Sequence, residues 1–155
     1  METRPRVCLD LNVFVAAEIA VAKGRRDTTP IRLIDACRRG EFELVISRSM
    51  LDRLVEVLRR PPLRLTLHTA TERAETIAEL AALPNLIVTG GGVMPLRDTE
   101  DRGVLEAALA GRAHFLATYN LAHFAAGAAL GEGRLQVRDL VILHPADLAA
   151  ELGLR

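Results

Sequence analysis

The stretch "RVCLDLNVFVAA", Arg6 to Ala17, decides how the rest of the chain is read. Its first four residues form an apolar, β-branched run that predicts a buried strand. The run stops on a carboxylate, Asp10, and an amide follows at Asn12. From Asn12 the pattern "NVFVAAEIAVAKG" predicts a helix ending near Gly24. A buried strand that turns straight into a helix is the opening unit of an α/β fold. In open parallel sheets, ligands bind just beyond the carboxyl ends of the strands. Asp10 therefore has two readings. It is the N-cap of the first helix, or it is the first residue of a site. Asn12 carries the same ambiguity.

Working outward, short β-like runs alternate with longer helical ones. "TTPIRLIDACRRG" (28–40) has a Thr N-cap, Pro30 in its first turn and Gly40 just past its end. "ELVIS" (43–47) predicts a strand, and "RSMLDRLVEVLRR" (48–60) a helix capped by Ser47 or Ser49 and stopped by Pro61-Pro62. "LHTATERAETIAELAAL" (67–83) predicts a helix capped by Thr69 or Thr71, followed by a strand "NLIVTG" (85–90) and a loop "GGVMPLRD" (91–98). "TEDRGVLEAALAG" (99–111) predicts a helix and "AHFLATYN" (113–120) a strand. A short helical segment over 121–129 and a glycine-bounded loop lead to the strand "LVILHP" (140–145) and the last helix, "PADLAAELG" (145–153). This alternation predicts a parallel sheet of about five strands with helices on both faces, in a single domain over residues 1–155.

The bulk properties agree with one soluble globular domain. The chain has 155 residues, half of them hydrophobic and 26% charged, with no tryptophan. No apolar run is long enough to span a bilayer, and Glu2, Arg4 and Arg6 interrupt any signal-like start, so the cytoplasm is the expected compartment. Cys8 and Cys37 are too few and too far apart for a disulfide framework or a zinc site. Net charge is zero, which announces no polyanionic partner. Residues 1–64 hold 13 basic against 9 acidic side chains, and residues 65–155 hold 7 against 11. Nineteen of the 20 basic residues are Arg, which can fork onto phosphate; a GC-rich genome produces the same bias.

The acids at the strand ends are the candidates for chemistry. Asp10 follows the first strand; Asp52 and Glu56 lie in the helix after the second; Asp98, Glu100 and Asp101 stand at the start of the 99–111 helix; Thr118 and Asn120 end the strand before the 121–129 segment. Carboxylates gathered in one cleft repel unless a cation joins them. A hard divalent ion, Mg²⁺ or Mn²⁺, prefers such oxygen donors. By spacing alone Glu56 reads as a surface residue paired with Arg60, a contact worth about 0.3–0.5 kcal/mol. Asp98 can cap its helix while Asp101 favours the helix dipole, and the same spacing suits a shared metal. The glycine run 90–92 lacks the P-loop and dinucleotide signatures and reads as a turn. The four histidines have no metal-ligand spacing among themselves. A phosphatase with Asp10 as nucleophile would need a second Asp two residues on, where this chain has Asn12.

Four phrases, in order, resemble the PIN-domain family: "VCLDLNVFVAA" (7–17), "FELVISRSMLDRLVEVLRRP" (42–61), "PLRDTEDRGVLEAALAGRAHFLATYNLAHF" (95–124) and "VILHPADLAAEL" (141–152). The resemblance implies a three-layer α/β/α sandwich and a Mg²⁺- or Mn²⁺-dependent ribonuclease. In bacteria and archaea it further implies the toxin of a type II toxin–antitoxin module, of the VapC kind. It assigns metal-binding and catalytic acids to Asp10, Glu56 and Asp101, with Asp98 beside them and Asn12, Thr118 and Asn120 in support. The move of Glu56 from surface residue to ligand is owed to the resemblance. Arg48, Arg53 and Arg97 become candidates to position RNA phosphate; Arg on a helix is otherwise solvated surface. RNA, a small antitoxin and a second copy of the chain are the implied partners. Many PIN domains read Thr-Gly-Asp where this chain reads Thr118-Tyr119-Asn120, so a neutral amide replaces a fourth acid. The alternative is a PIN-like module that binds RNA or protein with little or no catalysis.

Overall fold

The computed structural model describes residues 4–81, 99–124, 129–130 and 133–154, with side chains except those of 99–102 and 129–130. The predicted strand over 85–90, the glycine run, Arg97 and Asp98 lie outside the described residues.

Strand β1 is Arg6–Leu9 and helix α1 is Leu11–Ala22. Asp10 alone separates them, in extended backbone that lets it cap the helix. Gly24, at φ +73°, ends the segment as expected. Helix α2 is Thr29–Arg38, entered from Thr28 with Pro30 in its first turn, and Gly40 at φ +78° turns the chain towards β2, Glu43–Val45. Helix α3 is Arg48–Leu58. Its cap is Ser47, whose Oγ accepts from the Met50 N–H at 3.1 Å. Helix α4 is Leu67–Leu80. Its cap is Thr66, not Thr69 or Thr71, because the Thr66 hydroxyl accepts from the Thr69 N–H at 3.2 Å and the buried stripe Ala70, Ala74, Ile77 starts one turn later. Helix α5 is Thr99–Ala110 and leads into β3, Phe115–Ala117.

After β3 the structure adds something the periodicity did not announce. A short 3₁₀ turn, Leu121–Phe124, is followed by β4, Ala129–Leu130, and β5, Arg134–Val137. β4 pairs antiparallel with β5, and β5 antiparallel with β6, Leu140–Leu143, before the last helix, α6, Pro145–Glu151. In "RLQV", Leu135 and Val137 are buried and Gln136 is not, a period of two compressed into four residues. So short an alternation between glycine-bearing segments reads as loop.

The sheet order is β2-β1-β3-β6-β5-β4. The first four strands in that order are parallel and the last two pairings are antiparallel. Val7, Cys8 and Leu9 are consecutive and all buried, so both faces of β1 are covered, as a central parallel strand requires. Helix α5 packs on β1, β3 and α3; α6 packs on β3 and α2; α1 packs on α2 and α3. The result is an α/β/α sandwich with an antiparallel extension at one end. No described helix is long and apolar enough to cross a membrane.

Both cysteines are free and buried. Burial first, and the Asp10 charge second, push the Cys8 thiol well above its usual range. Burial raises Cys37 to about 11, against the opposing pull of Arg38 and Arg4. The thiolate is the nucleophile, so both side chains stay inert in the folded protein. A disulfide reagent at about pH 8 is expected to label neither thiol natively and both in strong denaturant; prompt native labelling of Cys8 would contradict its packing.

Candidate functional site

The chain leaves β1 for β2 on one side, and β3 lies on the other. The gap above β1 and β3 is therefore a switch point, where an open parallel sheet parts its connections and leaves a crevice. The register aligns what stands there. Leu9 is level with Ala117, and Ala117 with Leu143, so the next residues, Asp10, Thr118 and His144, form a row. Backbone bonds continue the ladder from Asp10 N to Ala117 O (2.9 Å) and from Thr118 N to Leu143 O (3.0 Å). Ser47 is level with Asp10, since each lies two residues beyond the Cys8–Val45 pair.

All four residues turn a side-chain acceptor onto the chain that follows. Asp10 Oδ1 accepts from Leu11 N–H (2.7 Å), Ser47 Oγ from Met50 N–H (3.1 Å), Thr118 Oγ1 from Asn120 N–H (3.0 Å) and His144 Nδ1 from Ala146 N–H (3.1 Å). Asp10 does more. It is 5% exposed, and its second oxygen, Oδ2, accepts the Thr118 hydroxyl at 2.7 Å. Asn12 closes the group: its amide nitrogen lies 3.4 Å from Asp10 Oδ2 and 3.5 Å from Thr118 Oγ1, and its Oδ1 lies 3.5 Å from the Tyr119 N–H. The two readings of Asp10 are thus compatible: it caps α1 with one oxygen and holds a polar cluster with the other.

The remaining candidates are placed as follows. Asn120 is exposed beside the cluster and joined to it through its backbone N–H. Asp101 is the third residue of α5. Because α5 leads into the start of β3 and packs along β1 and β3, its first turn lies towards the same carboxyl edge as Asp10. Glu56 is not joined to this cluster by any described hydrogen bond. Its side chain is 59% exposed and forms an ion pair with Arg53 one turn earlier, not the Arg60 contact that spacing suggests. It also lies about 13 Å along the helix axis from Ser47, which marks the edge. Arg48 lines a groove between α3 and α4 with Asp52, Val55 and Glu79. Among the described residues no three His, Cys, Asp or Glu side chains are grouped to hold a metal; Asp98, and the side chain of Asp101, are not among them. The oxygens that do converge, Asp10 Oδ2 and Thr118 Oγ1, are hard donors of the kind a divalent cation takes, while Asn12 turns its amide nitrogen to them and its Oδ1 to the Tyr119 N–H.

Sequence reasoning missed His144 and Tyr119. The histidines were weighed by metal-ligand spacing, and His144 belongs to the site by register instead. Applying the strand-end rule to "LVILHP" would have named it.

An α/β sandwich with a buried carboxylate at the switch point has the architecture in which an open sheet places a ligand site. A family model described as PIN domain matches residues 6–122. No curated protein and no solved structure matches the chain significantly. The chain belongs to the PIN-domain family. PIN domains are nucleases in general, act on RNA and use divalent metal ions.

The Asp10–Thr118 bond is buried, so its loss leaves a desolvated carboxylate short of a donor. Thr118→Val is expected to destabilise the fold by about 1–3 kcal/mol in urea denaturation. Thr118→Ser, which keeps the hydroxyl and drops only the methyl, should lose less; a Thr118→Val protein as stable as wild type would show that the bond contributes nothing.

Proposed function

We propose that this protein is a Mg²⁺- or Mn²⁺-dependent endoribonuclease. The observation that carries the reading is the buried Asp10 carboxylate, held by Thr118 and Asn12 at the switch point of a PIN-family sheet. A buried carboxylate is ordinarily costly to ionise. Here donors from Leu11, Asn12 and Thr118 meet its oxygens and fix their direction.

Asp10 and Asp101, with Asp98 beside it, would hold the ion, and Asn120 would offer an uncharged oxygen in place of a fourth acid. Glu56 completes the set only by exchanging Arg53 for the cation. Bound there, the ion would supply positive charge opposite a phosphodiester and Lewis acidity towards water. The chain's own contribution is orientation. Thr118 and Asn12 fix the plane of the Asp10 carboxylate, and the α1 amide at Leu11 keeps its other oxygen engaged. Arg48, Arg53 and Arg97 are the side chains proposed to meet RNA phosphate. The biological role in this reading is that of a toxin in a type II toxin–antitoxin module, working as a homodimer in the cytoplasm and restrained by a small antitoxin. That part rests on the family resemblance alone.

The exposed, neutral Asn120 and the Arg53-bound Glu56 favour one second reading, a PIN-like module that binds RNA or protein with little catalysis. RNA cleavage measured with and without Mn²⁺, for wild type and Asp10→Ala, separates the two. The nuclease reading expects cleavage only with metal and a loss of more than about a hundredfold in the variant, since even partners behind a ligand cost 10- to 100-fold. Metal-independent behaviour identical in both proteins would favour the binding module. Asn120→Asp should lower the Mn²⁺ concentration needed for half-maximal cleavage; an unchanged metal dependence would remove Asn120 from the site.

A further inference from the structure

Tyr119 is the single tyrosine of the chain, and there is no tryptophan. It follows Thr118 at the switch point, and its backbone N–H points at Asn12 Oδ1. Three large apolar side chains stand out as exposed among the described residues: Val21, Leu67 and Tyr119. Val21 and Leu67 lie on helices α1 and α4, whereas Tyr119 lies beside the Asp10 cluster with 37% of its surface open. His144 meets its ring edge to face, with ring centroids 5.0 Å apart and planes at 86°. His144 is itself held, because its Nδ1 accepts the Ala146 N–H at the start of α6. That acceptor role places the proton of the neutral imidazole on Nε2.

An aromatic ring that packs against a neighbouring ring, is partly open and lies beside the Asp10 cluster has an evident use. RNA is read chiefly where bases are unpaired, and unpaired bases stack on aromatic side chains. Such stacking tolerates any base, because every base has a π-face. We propose that Tyr119, braced by His144, is a stacking platform for one unpaired base next to the phosphate served by the Asp10 cluster. A paired base cannot leave its own stack for the ring, so the platform serves only an unpaired one. The proposal rests on the nuclease reading above and adds the residue that receives the base.

The single tyrosine supplies a direct probe. Protein labelled with 3-fluorotyrosine has one fluorine resonance, at position 119. It is titrated, in Mg²⁺, with a single-stranded RNA of about eight nucleotides and separately with the duplex of the same sequence. Binding is followed in parallel by fluorescence anisotropy, and cleavage on a gel. The expected result is an upfield shift that saturates with the single strand and is absent with the duplex. Tyr119→Ala should weaken single-strand binding by about 5- to 150-fold, raising KM more than it lowers kcat, while Tyr119→Phe keeps the affinity. RNA bound or cleaved with the resonance unmoved and the Tyr119→Ala affinity unchanged would overturn the platform and leave the nuclease reading standing. An equal shift with duplex would overturn the restriction to an unpaired base. Wild-type protein that neither binds nor cleaves RNA would remove both readings. The fluorine measurement is made on the natural side-chain framework, so a failure of Tyr119→Ala to fold does not decide the question.

Discussion

The carboxylate of Asp10 ties together three parts of the chain. Its Oδ1 closes the first turn of α1, and its Oδ2 takes the hydroxyl of Thr118 at the end of β3, 108 residues later. Its own backbone N–H extends the ladder between β1 and β3. At 5% exposure the group has little water to fall back on, so its oxygens depend on protein donors. The consequence reaches the fold as well as the site. The same atoms that make Asp10 available for chemistry set where α1 begins and how β3 is docked against β1.

Much of this could be read from the chain. The first strand and helix, Ser47 as a cap, Pro30 and Gly40 around α2, and the strand at 115–117 all follow from local rules, because their signals sit within a few residues. The stretch from Leu67 places the start of α4, but the cap is Thr66 and not Thr69 or Thr71, which only the bond from the Thr69 N–H to the Thr66 hydroxyl reveals. The β4–β5 extension was invisible for another reason. Its stability comes from pairing with β6, a contact between segments rather than a preference of either. At the site, Asp10 and Thr118 were legible as strand ends, whereas their direct bond is a matter of register, which no periodicity records.

Helix α3 shows how charge placement follows from helix geometry. Met50, Leu54 and Leu58 face the core, and Arg48 and Asp52 border the groove with α4. Arg53 and Glu56 occupy a further face and form an ion pair at a spacing of three. Glu56 is the more exposed partner, with 59% of its side chain open against 33% for Arg53. A cation that approaches Glu56 therefore meets a carboxylate already engaged by a guanidinium and must compete with it.

The antiparallel extension has a consequence for how the molecule keeps to itself. Among the described residues β6 would be the last strand of the parallel run, and its outer row of amide and carbonyl groups would be open to any passing strand. The β5 hairpin takes up that row, and β4, the next strand out, is only two residues long. So short a border is a poor template for a foreign chain. At this side the sheet tapers to an end on which aggregation has little to grow.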